Sequence, residues 1–479
     1  MPKNKTRATG RQSKRLTRKI RGGGFKPFEK YILLSCPEFN DVVDKMIAED
    51  GAECYSDCDL ASYKPGVFSN NVAVSGDEKA TVDKILSGMK GADDVAIILE
   101  GAEGDAFVTF AEDYYGKSKE EIAPDANFAG KTEDIHIHYR RATNHFESNS
   151  FYRGYINWKT YNDKTPDIKM GKATTDKLKG AKIIFLAYFS FNEPDATPMM
   201  NQLLFLNSLN HYGVAEINIV LPYFPVGTLE RIVGEGEIPT AYALAHMLNS
   251  IPSGASKNNL FIFDIHALCS RFFFHSNCRP VLISMMEEYM VHINAAYNEG
   301  GKNNFNVIVF PDDGAKKRFE KLLPKGTRKI VCAKVREGDK RLIKIEPGFE
   351  QTLEGAAEYT NVNFFVVDDL VQSGGTVLET LNGIKMQLSN KPYAGKIKFI
   401  PMITHSVFPE EKNITNFFKD GAATATVNNL ITTNSRPLRV KEIARSHREQ
   451  VTVIDISKTL VKVFNNANGT LTGVSSFHA

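Results

Sequence analysis

Residues 363–377, Asn-Phe-Phe-Val-Val-Asp-Asp-Leu-Val-Gln-Ser-Gly-Gly-Thr-Val, constrain this chain more than any other stretch. Residues 364–367 have the composition of a buried strand, Asp368 and Asp369 follow, and Ser373-Gly374-Gly375-Thr376 leads into an amphipathic segment over 377–386. The predicted order is strand, acidic pair, glycine turn, helix. Adjacent glycines let the backbone turn tightly and bring N–H groups against a ligand, and a helix's first turn points unpaired N–H groups and its positive dipole end at an anion. A phosphate suits that place. Carboxylates one short loop earlier can accept hydrogen bonds from vicinal hydroxyls or hold a hydrated Mg²⁺. A Gly-Gly turn is also a plain connection in many α/β proteins; the acidic pair is what favours a phosphorylated sugar as the ligand.

The rest of the chain alternates strand and helix. Strands are predicted at 31–34, 182–189, 216–221, 259–264, 305–310, 330–333, 397–403 and 429–432, and helices at 40–48, 199–211 and 240–250. Such alternation predicts an α/β fold with mainly parallel sheets and ligands at the strands' carboxyl ends. Residues 50–150 mix a helix (77–89), a strand (95–99) and polar loops, and read as an insertion of uncertain structure.

Length and charge bound the class. A chain of 479 residues, 42% hydrophobic and 24% charged, is globular and long enough for two or three domains. Its longest apolar run, 183–191, is well short of the roughly 20 residues a bilayer span needs, so no membrane partner is expected. Six cysteines without a secretory signal point to reduced thiols and a cytoplasmic location. Cys54-x₃-Cys58 and His136-Ile-His138 match no standard zinc spacing, and His-x-His also suits one face of a strand. The first 28 residues hold ten Lys or Arg and no acid, which leaves 49 basic against 56 acidic residues and a charge of −7 over 29–479. That basic segment is expected to be disordered, contacting polyanions, acting as a targeting sequence, although it has little of a transit peptide's apolar periodicity, or serving as a plain solvated tail.

Three polar clusters close predicted strands. Asp264-Ile-His266 places a carboxylate and an imidazole two residues apart, able to face the same way; a hydrogen-bonded structural histidine and a phosphate or metal contact both fit. Pro311-Asp312-Asp313-Gly314 ends another strand in acids, and Asp312 can complete an oxygen-rich Mg²⁺ site. Lys334-Val-Arg-Glu-Gly-Asp-Lys-Arg341 gathers four cations around a glycine in an expected mobile loop, from which Lys334 and Arg336 can reach one developing charge; a solvated surface loop is the plainer alternative.

Taken together, residues of about 156–460 resemble a PRPP synthetase (ribose-phosphate diphosphokinase) of the divergent plant-type class II. The resemblance is carried by Leu221-Pro-Tyr-Phe-Pro-Val-Gly-Thr-Leu-Glu-Arg231, Asp264-Ile-His-Ala267, Phe310-Pro-Asp-Asp-Gly314, Cys332-Ala-Lys-Val-Arg-Glu-Gly-Asp-Lys-Arg341, residues 366–376 and Ile403-Thr-His-Ser-Val-Phe-Pro409. A type I phosphoribosyltransferase would share only 366–376, and a non-catalytic synthetase-associated subunit would lose the loop cations or metal ligands. The resemblance implies two tandem phosphoribosyltransferase-like domains with mainly parallel central sheets and flanking helices, at 29–295 and 296–460, between the basic tail 1–28 and a C-terminal tail 461–479.

It further implies diphosphoryl transfer from MgATP to ribose 5-phosphate, giving PRPP and AMP for nucleotide biosynthesis, with Mg²⁺ as cofactor. Lys334 and Arg336 match the catalytic loop pair, and His266 and Asp312 the Mg²⁺ and ATP-phosphate positions. Asp368, Asp369 and Gln372, Ser373, Gly374, Gly375, Thr376 match the ribose 5-phosphate loop. Tyr161 and Asp163 resemble the start of the adenine-receiving loop, although Lys164 and Thr165 replace its usual Gly-Glu; Arg231 is retained where Thr228 and Leu229 replace Arg-Gln. A homo-oligomer built on dimers, as far as a hexamer, is implied. His275, where the commoner class carries an acid, agrees with a class that needs no inorganic phosphate and shows no ADP allostery.

Overall fold

Runs of branched and aromatic residues decide where the strands fall. The computed structural model describes residues 29–50, 72–74, 95–100, 106–110, 135–139, 148–154, 156–163, 165–191, 199–275, 277–298, 300–337, 340–419 and 425–466, and structural statements below concern these. The chain enters through β1 (Tyr31–Ser35) and α1 (Asn40–Glu49), whose Val42, Val43, Met46 and Ile47 form the expected buried stripe. β2 (Val72–Val74), β3 (Val95–Glu100), β4 (Ala106–Phe110) and β5 (Ile135–Tyr139) make a separate antiparallel sheet in the order β2-β4-β3-β5. The strand expected at 95–99 is thus present. The helix expected at 77–89, the basic tail, Cys54, Cys58 and the side chains of His136 and His138 lie outside the described residues.

β6 (Phe151–Arg153) pairs with β1, and β7 (Ile156–Thr160) with β8 (Pro166–Met170) forms an antiparallel hairpin. α2 (Lys172–Leu178), β9 (Lys182–Leu186), α3 (Met199–Ser208), β10 (Glu216–Val220), α4 (Thr240–Asn249), β11 (Asn258–Phe263), β12 (Cys278–Ile283) and α5 (Met286–Ala296) complete a parallel six-stranded sheet, ordered β12-β11-β10-β9-β1-β6. β9 and β11 are nearly unbroken apolar runs because central parallel strands are covered on both faces.

The second sheet follows with β13 (Asn304–Phe310), α6 (Asp313–Phe319), β14 (Lys329–Glu337), β15 (Lys340–Ile345), α7 (Phe349–Thr352), β16 (Asn361–Val371), α8 (Gly375–Gln387), β17 (Ile397–Ser406), α9 (Glu411–Phe417), β18 (Leu430–Thr433), α10 (Pro437–Ser446) and β19 (Val451–Ile454). Its order is β15-β14-β13-β16-β17-β18-β19, parallel throughout except for β15 against β14. The architecture is α/β with mainly parallel sheets flanked by helices, as the alternation predicts.

Two segments differ from expectation. The residues after Ala333 are not an open loop: β14 continues to Glu337 and pairs with β15, so Lys334 lies opposite Ile343 and Arg336 opposite Arg341. The hairpin is anchored where Ile343 and Ile345 of β15 are buried in the apolar cluster of the second sheet. The chain beyond 460 is not simply a tail, since α11 (Ile456–Asn466) crosses back onto the first sheet. Ile456, Leu460, Val463 and Phe464 give it one apolar stripe, buried in the cluster that also holds α1. Asn465 Nδ2 donates to Asp50 Oδ1 at 2.7 Å, and Lys45 pairs with Asp455.

That cluster also runs through Phe263 and Ile283 of the first sheet and Phe310, Phe365 and Met402 of the second. Polar contacts continue it: Thr404 Oγ1 donates to Asp264 Oδ2 at 2.6 Å, and His405 Nε2 lies 2.9 Å from the Phe263 carbonyl. The carboxyl ends of β11 and β17 therefore meet, and the strand-end clusters of both sheets converge on one junction.

Candidate active site

β16 is a central strand, hydrogen-bonded to β13 and β17 and in register with β17 as far as Val371 opposite Ser406. It carries Asp368 and Asp369 within the strand, where both carboxyls come within reach of the Arg318 guanidinium and Asp368 Oδ1 accepts from the Asp369 N–H at 3.0 Å. At its end Val371's carbonyl accepts from the N–H groups of Val407 and Phe408, at 2.9 and 3.3 Å, and the chain turns. Gly374 sits at φ +82° with no room for a side chain, because a Cβ would stand 2.6 Å from Phe417 Cδ2. Only glycine meets both demands cheaply. α8 then begins at Gly375, whose N–H donates to Ser373 Oγ at 3.3 Å. Among the described residues no internal hydrogen bond takes the N–H groups of Gly374 or Thr376, and Gln372 and Ser373 are exposed. The turn is an open amide cradle at a helix N-terminus.

Beside it lies a charge cluster that local sequence did not reveal. Asp369, 1% exposed, accepts from Arg318 of α6 through Oδ1 and sits 2.9 Å from His266 Nδ1 through Oδ2. Both oxygens are engaged, so the carboxylate faces inward rather than toward the turn. Burial alone would raise its pKa, but the hydrogen bond from His266 and the charge of Arg318 outweigh that and hold the group well below the ordinary carboxylate range. Asp368, 18% exposed, stands 3.9 Å from Arg318 Nη1. Burial first, and then the negative charge of Asp369, push its carboxyl well up. One guanidinium serves two adjacent acids, and the acid with two partners takes the negative charge.

The facing edge of the first sheet is strained. Asp264 adopts φ +32°, a conformation a non-glycine residue rarely takes, immediately after β11. Its Oδ2 accepts from Thr404 Oγ1 and from the Met285 N–H at 3.1 Å, while Oδ1 is buried without a hydrogen-bond partner. Burial raises its pKa. The kink aims His266 at Asp369. His405 is buried, with Nδ1 2.9 Å from Ser435 Oγ, and burial lowers its pKa to about 4. The Tyr223 ring lies 5.0 Å from His405 and takes the Arg436 guanidinium at 4.9 Å on its face.

Of the other expected site residues, Asp312 lies near enough for its charge to help push the Asp368 carboxyl up, while no contact among the described residues joins Tyr161, Asp163 or Arg231 to the cluster. Asp312 caps α6, accepting from the Ala315 N–H at 3.0 Å, and so holds the helix that delivers Arg318. Tyr161, 58% exposed, and Asp163 lie at the tip of the β7–β8 hairpin, where hydrogen bonding from Thr165 holds the Asp163 carboxyl below its ordinary pKa. Arg231 is exposed and pairs with Glu230 at 2.8 Å. The Lys334 and Arg336 side chains lie outside the described residues, but β14 leaves the same sheet edge as β16, since both run parallel to β13. Among the described residues no group of three or more His, Cys, Asp or Glu is arranged to hold a metal ion. Mg²⁺ typically takes one or two protein carboxylates plus substrate phosphates, so these residues fit an ion arriving on a polyphosphate rather than one caged by the protein.

Arg318, Thr404 and His405 were not singled out from the sequence, whereas Asp264 was, as the carboxylate paired with His266. Arg318 had one usable signal: it falls three residues after the buried Ala315 and next to buried Phe319, an arginine on an inward helix face.

No protein-family model matches the chain. It is 36% identical over 260 residues to ribose-phosphate pyrophosphokinase 4 of Oryza sativa subsp. japonica, covering 53% of this chain and 71% of that one. Ribose-phosphate pyrophosphokinase 4 of Arabidopsis thaliana is 33% identical over 256 residues, covering 53% and 68%. The mitochondrial ribose-phosphate pyrophosphokinase 3 of Spinacia oleracea is 35% identical over 294 residues, 60% of this chain, and the match spans 65% of the spinach protein. A solved structure, phosphoribosylpyrophosphate synthetase from Mycobacterium smegmatis, aligns with TM-score 0.47 and 16% identity over 66% of this chain and 90% of its own. The extent of the plant matches is decisive: this chain belongs to the ribose-phosphate pyrophosphokinase family.

Proposed function

We propose that the protein transfers the diphosphoryl group of MgATP to ribose 5-phosphate. The anomeric oxygen forms a bond to the β-phosphorus of ATP, the bond from that phosphorus to the α,β-bridging oxygen breaks, AMP departs, and the hydroxyl proton passes to solvent. One observation carries this reading: an open amide cradle at the start of α8 adjoins the Asp368, Asp369, Arg318 and His266 cluster where the two sheets meet.

In this assignment the Gly374 and Thr376 amides grip the 5-phosphate, with Gln372, Ser373 and Gly375 completing the loop, and Asp368 receives the ribose hydroxyls. Asp369, turned inward, positions His266, whose free Nε2 meets the polyphosphate with Asp312 near its Mg²⁺. Lys334 and Arg336 stabilise the charge moving onto AMP, and a fixed array of cations needs little reorganisation as that charge develops. Tyr161 and Asp163 on their exposed hairpin tip, with Arg231, serve the adenine end, which a second copy of the chain would enclose in a dimer-based oligomer. A reducing, cytoplasmic setting is the compartment assigned with this reading. Nucleotide biosynthesis is the corresponding cellular role.

The test is direct. Purified protein incubated with MgATP and ribose 5-phosphate should release AMP and PRPP in equal amounts. Folded protein that yields no AMP would favour the non-catalytic subunit, and protein that consumes PRPP with a base would favour a phosphoribosyltransferase.

A further inference from the structure

The amino-terminal end of the first sheet breaks its own pattern. On one face Leu33, Ile184, Val220, Phe261 and Val281 join a buried apolar cluster. At the strands' starts the same face carries Tyr31, Lys182, Glu216, Asn218, Asn259 and Arg279, since each lies two or four residues from an apolar member of its own strand. These residues are in register: Tyr31 with Lys182, Lys182 with Glu216, Asn218 with Asn259, and Asn259 with Arg279. Five strands thus place polar groups in two neighbouring rows, Tyr31-Lys182-Glu216 and Asn218-Asn259-Arg279, where period-two alternation calls for core.

The rows are organised. Asn218 Nδ2 donates to the Ile183 carbonyl at 3.1 Å and to Glu216 Oε1 at 2.9 Å; Asn259 Nδ2 donates to Asn218 Oδ1 at 2.7 Å; Arg279 Nε donates to Asn259 Oδ1 at 3.0 Å. Asn218 and Asn259 are buried, so this chain of amides fixes the guanidinium by its Nε and leaves its two terminal nitrogens for another partner. Above the rows is a hollow of about 420 Å³, which also borders Ser256, Lys257 and Phe464. Its loop wall is held closely: a Cβ on Gly254 would stand 2.2 Å from the Val214 carbonyl, and the Ala255 N–H donates to the Ala215 carbonyl at 2.9 Å.

Charge decides what fits. Lys182, Lys257 and Arg279 surround the hollow against a single carboxylate, Glu216, which the asparagines already engage. Among the described residues neither lysine forms a salt bridge, and Lys182's one contact is the Tyr31 ring, 5.6 Å away. Three cations held around one cavity repel each other unless an anion joins them. We propose that this hollow is a second ligand site, separate from the glycine turn and on the opposite edge of the sheet from His266, and that it takes a small dianion of the phosphate monoester class.

Inorganic phosphate titrated calorimetrically into the full chain is the probe. The unmodified protein should show two classes of site. Lys182→Ala with Lys257→Ala, both at exposed positions, should weaken one class by roughly tenfold or more per lysine lost and spare the other. Asn259→Asp, which sets a negative charge beside Arg279, should weaken the same class, and Gly374→Ala should weaken only the other. A double lysine variant that binds phosphate like the unmodified protein overturns the proposal, as does a single class of site that responds to Gly374→Ala alone. Because binding is read without turnover, failure here leaves the catalytic assignment to its own assay.

Discussion

At the carboxyl edges of the two sheets the polar groups are charged, strained or shifted in pKa, whereas at the amino edge of the second sheet they are neutral amides bonded to one another. Asp264 and Phe408, two of the three non-glycine residues with positive φ among the described residues, lie at carboxyl edges, together with the Asp368 and Asp369 pair and neutral, buried His405. At the amino edge, Asn363 Nδ2 donates to Asn304 Oδ1 and Asn306 Oδ1 at 3.1 and 2.9 Å, and Asn306 Nδ2 to the Tyr297 carbonyl at 2.7 Å. Both edges bury polar atoms. Unusual backbone occurs at both, since Lys302 takes φ +57° just before β13; only the carboxyl edges gather carboxylates and an imidazole shifted in pKa, which is stability given up where a ligand is to be met.

Substitutions should separate the edges by which property they damage. Lys334→Ala should lower kcat by on the order of 10³ while ribose 5-phosphate affinity changes little, as single-turnover kinetics and equilibrium binding would show. An unchanged kcat removes the β14–β15 hairpin from the chemistry. Arg318→Met leaves Asp369 buried beside Asp368 without its cation and should cost about 3 to 5 kcal/mol in denaturant unfolding. Adding Asp369→Asn should restore most of that stability and none of the activity, because His266 would then lose its anionic partner.

A pH series tests the joint between the sheets. His405 binds a proton in the unfolded chain near pH 6.5 but in the folded protein only near 4. Its contribution is therefore complete above pH 6.5 and is lost as pH falls toward 4, a loss of about 3 kcal/mol. His405→Gln should flatten that part of the stability curve relative to the unmodified protein; parallel curves would show that the imidazole is not held neutral. The smallest effect belongs to the amino edge. Asn363→Ala should cost about 1 to 3 kcal/mol and leave kcat unchanged, and a fall in kcat would erase the distinction between the edges.

The strands were legible because each is an apolar run that local composition reveals. β16 and α8 were found with the turn between them, since two adjacent glycines after an acidic pair admit few other conformations. Residues 334–341 read as a loop because their charges and glycine carry no strand signal until β15 supplies the hydrogen-bonding partner. Arg318 was passed over for a related reason. Its role depends on Asp369, 51 residues later, and no local pattern encodes that pairing.

What the sequence determined alone is the set of elements and the chemical character of their ends: parallel strands that stop in carboxylates, an imidazole and a glycine turn. Hydrophobic periodicity and turn chemistry are local and survive in a linear reading. The tertiary structure decided which of those ends meet, that Asp369 turns inward to hold His266 while Asp368 keeps slight exposure, and that α11 returns to cover the first sheet. Those outcomes depend on burial and on charges brought together from distant parts of the chain. A carboxylate's pKa and direction are set by its neighbours in space, and only the folded chain selects them.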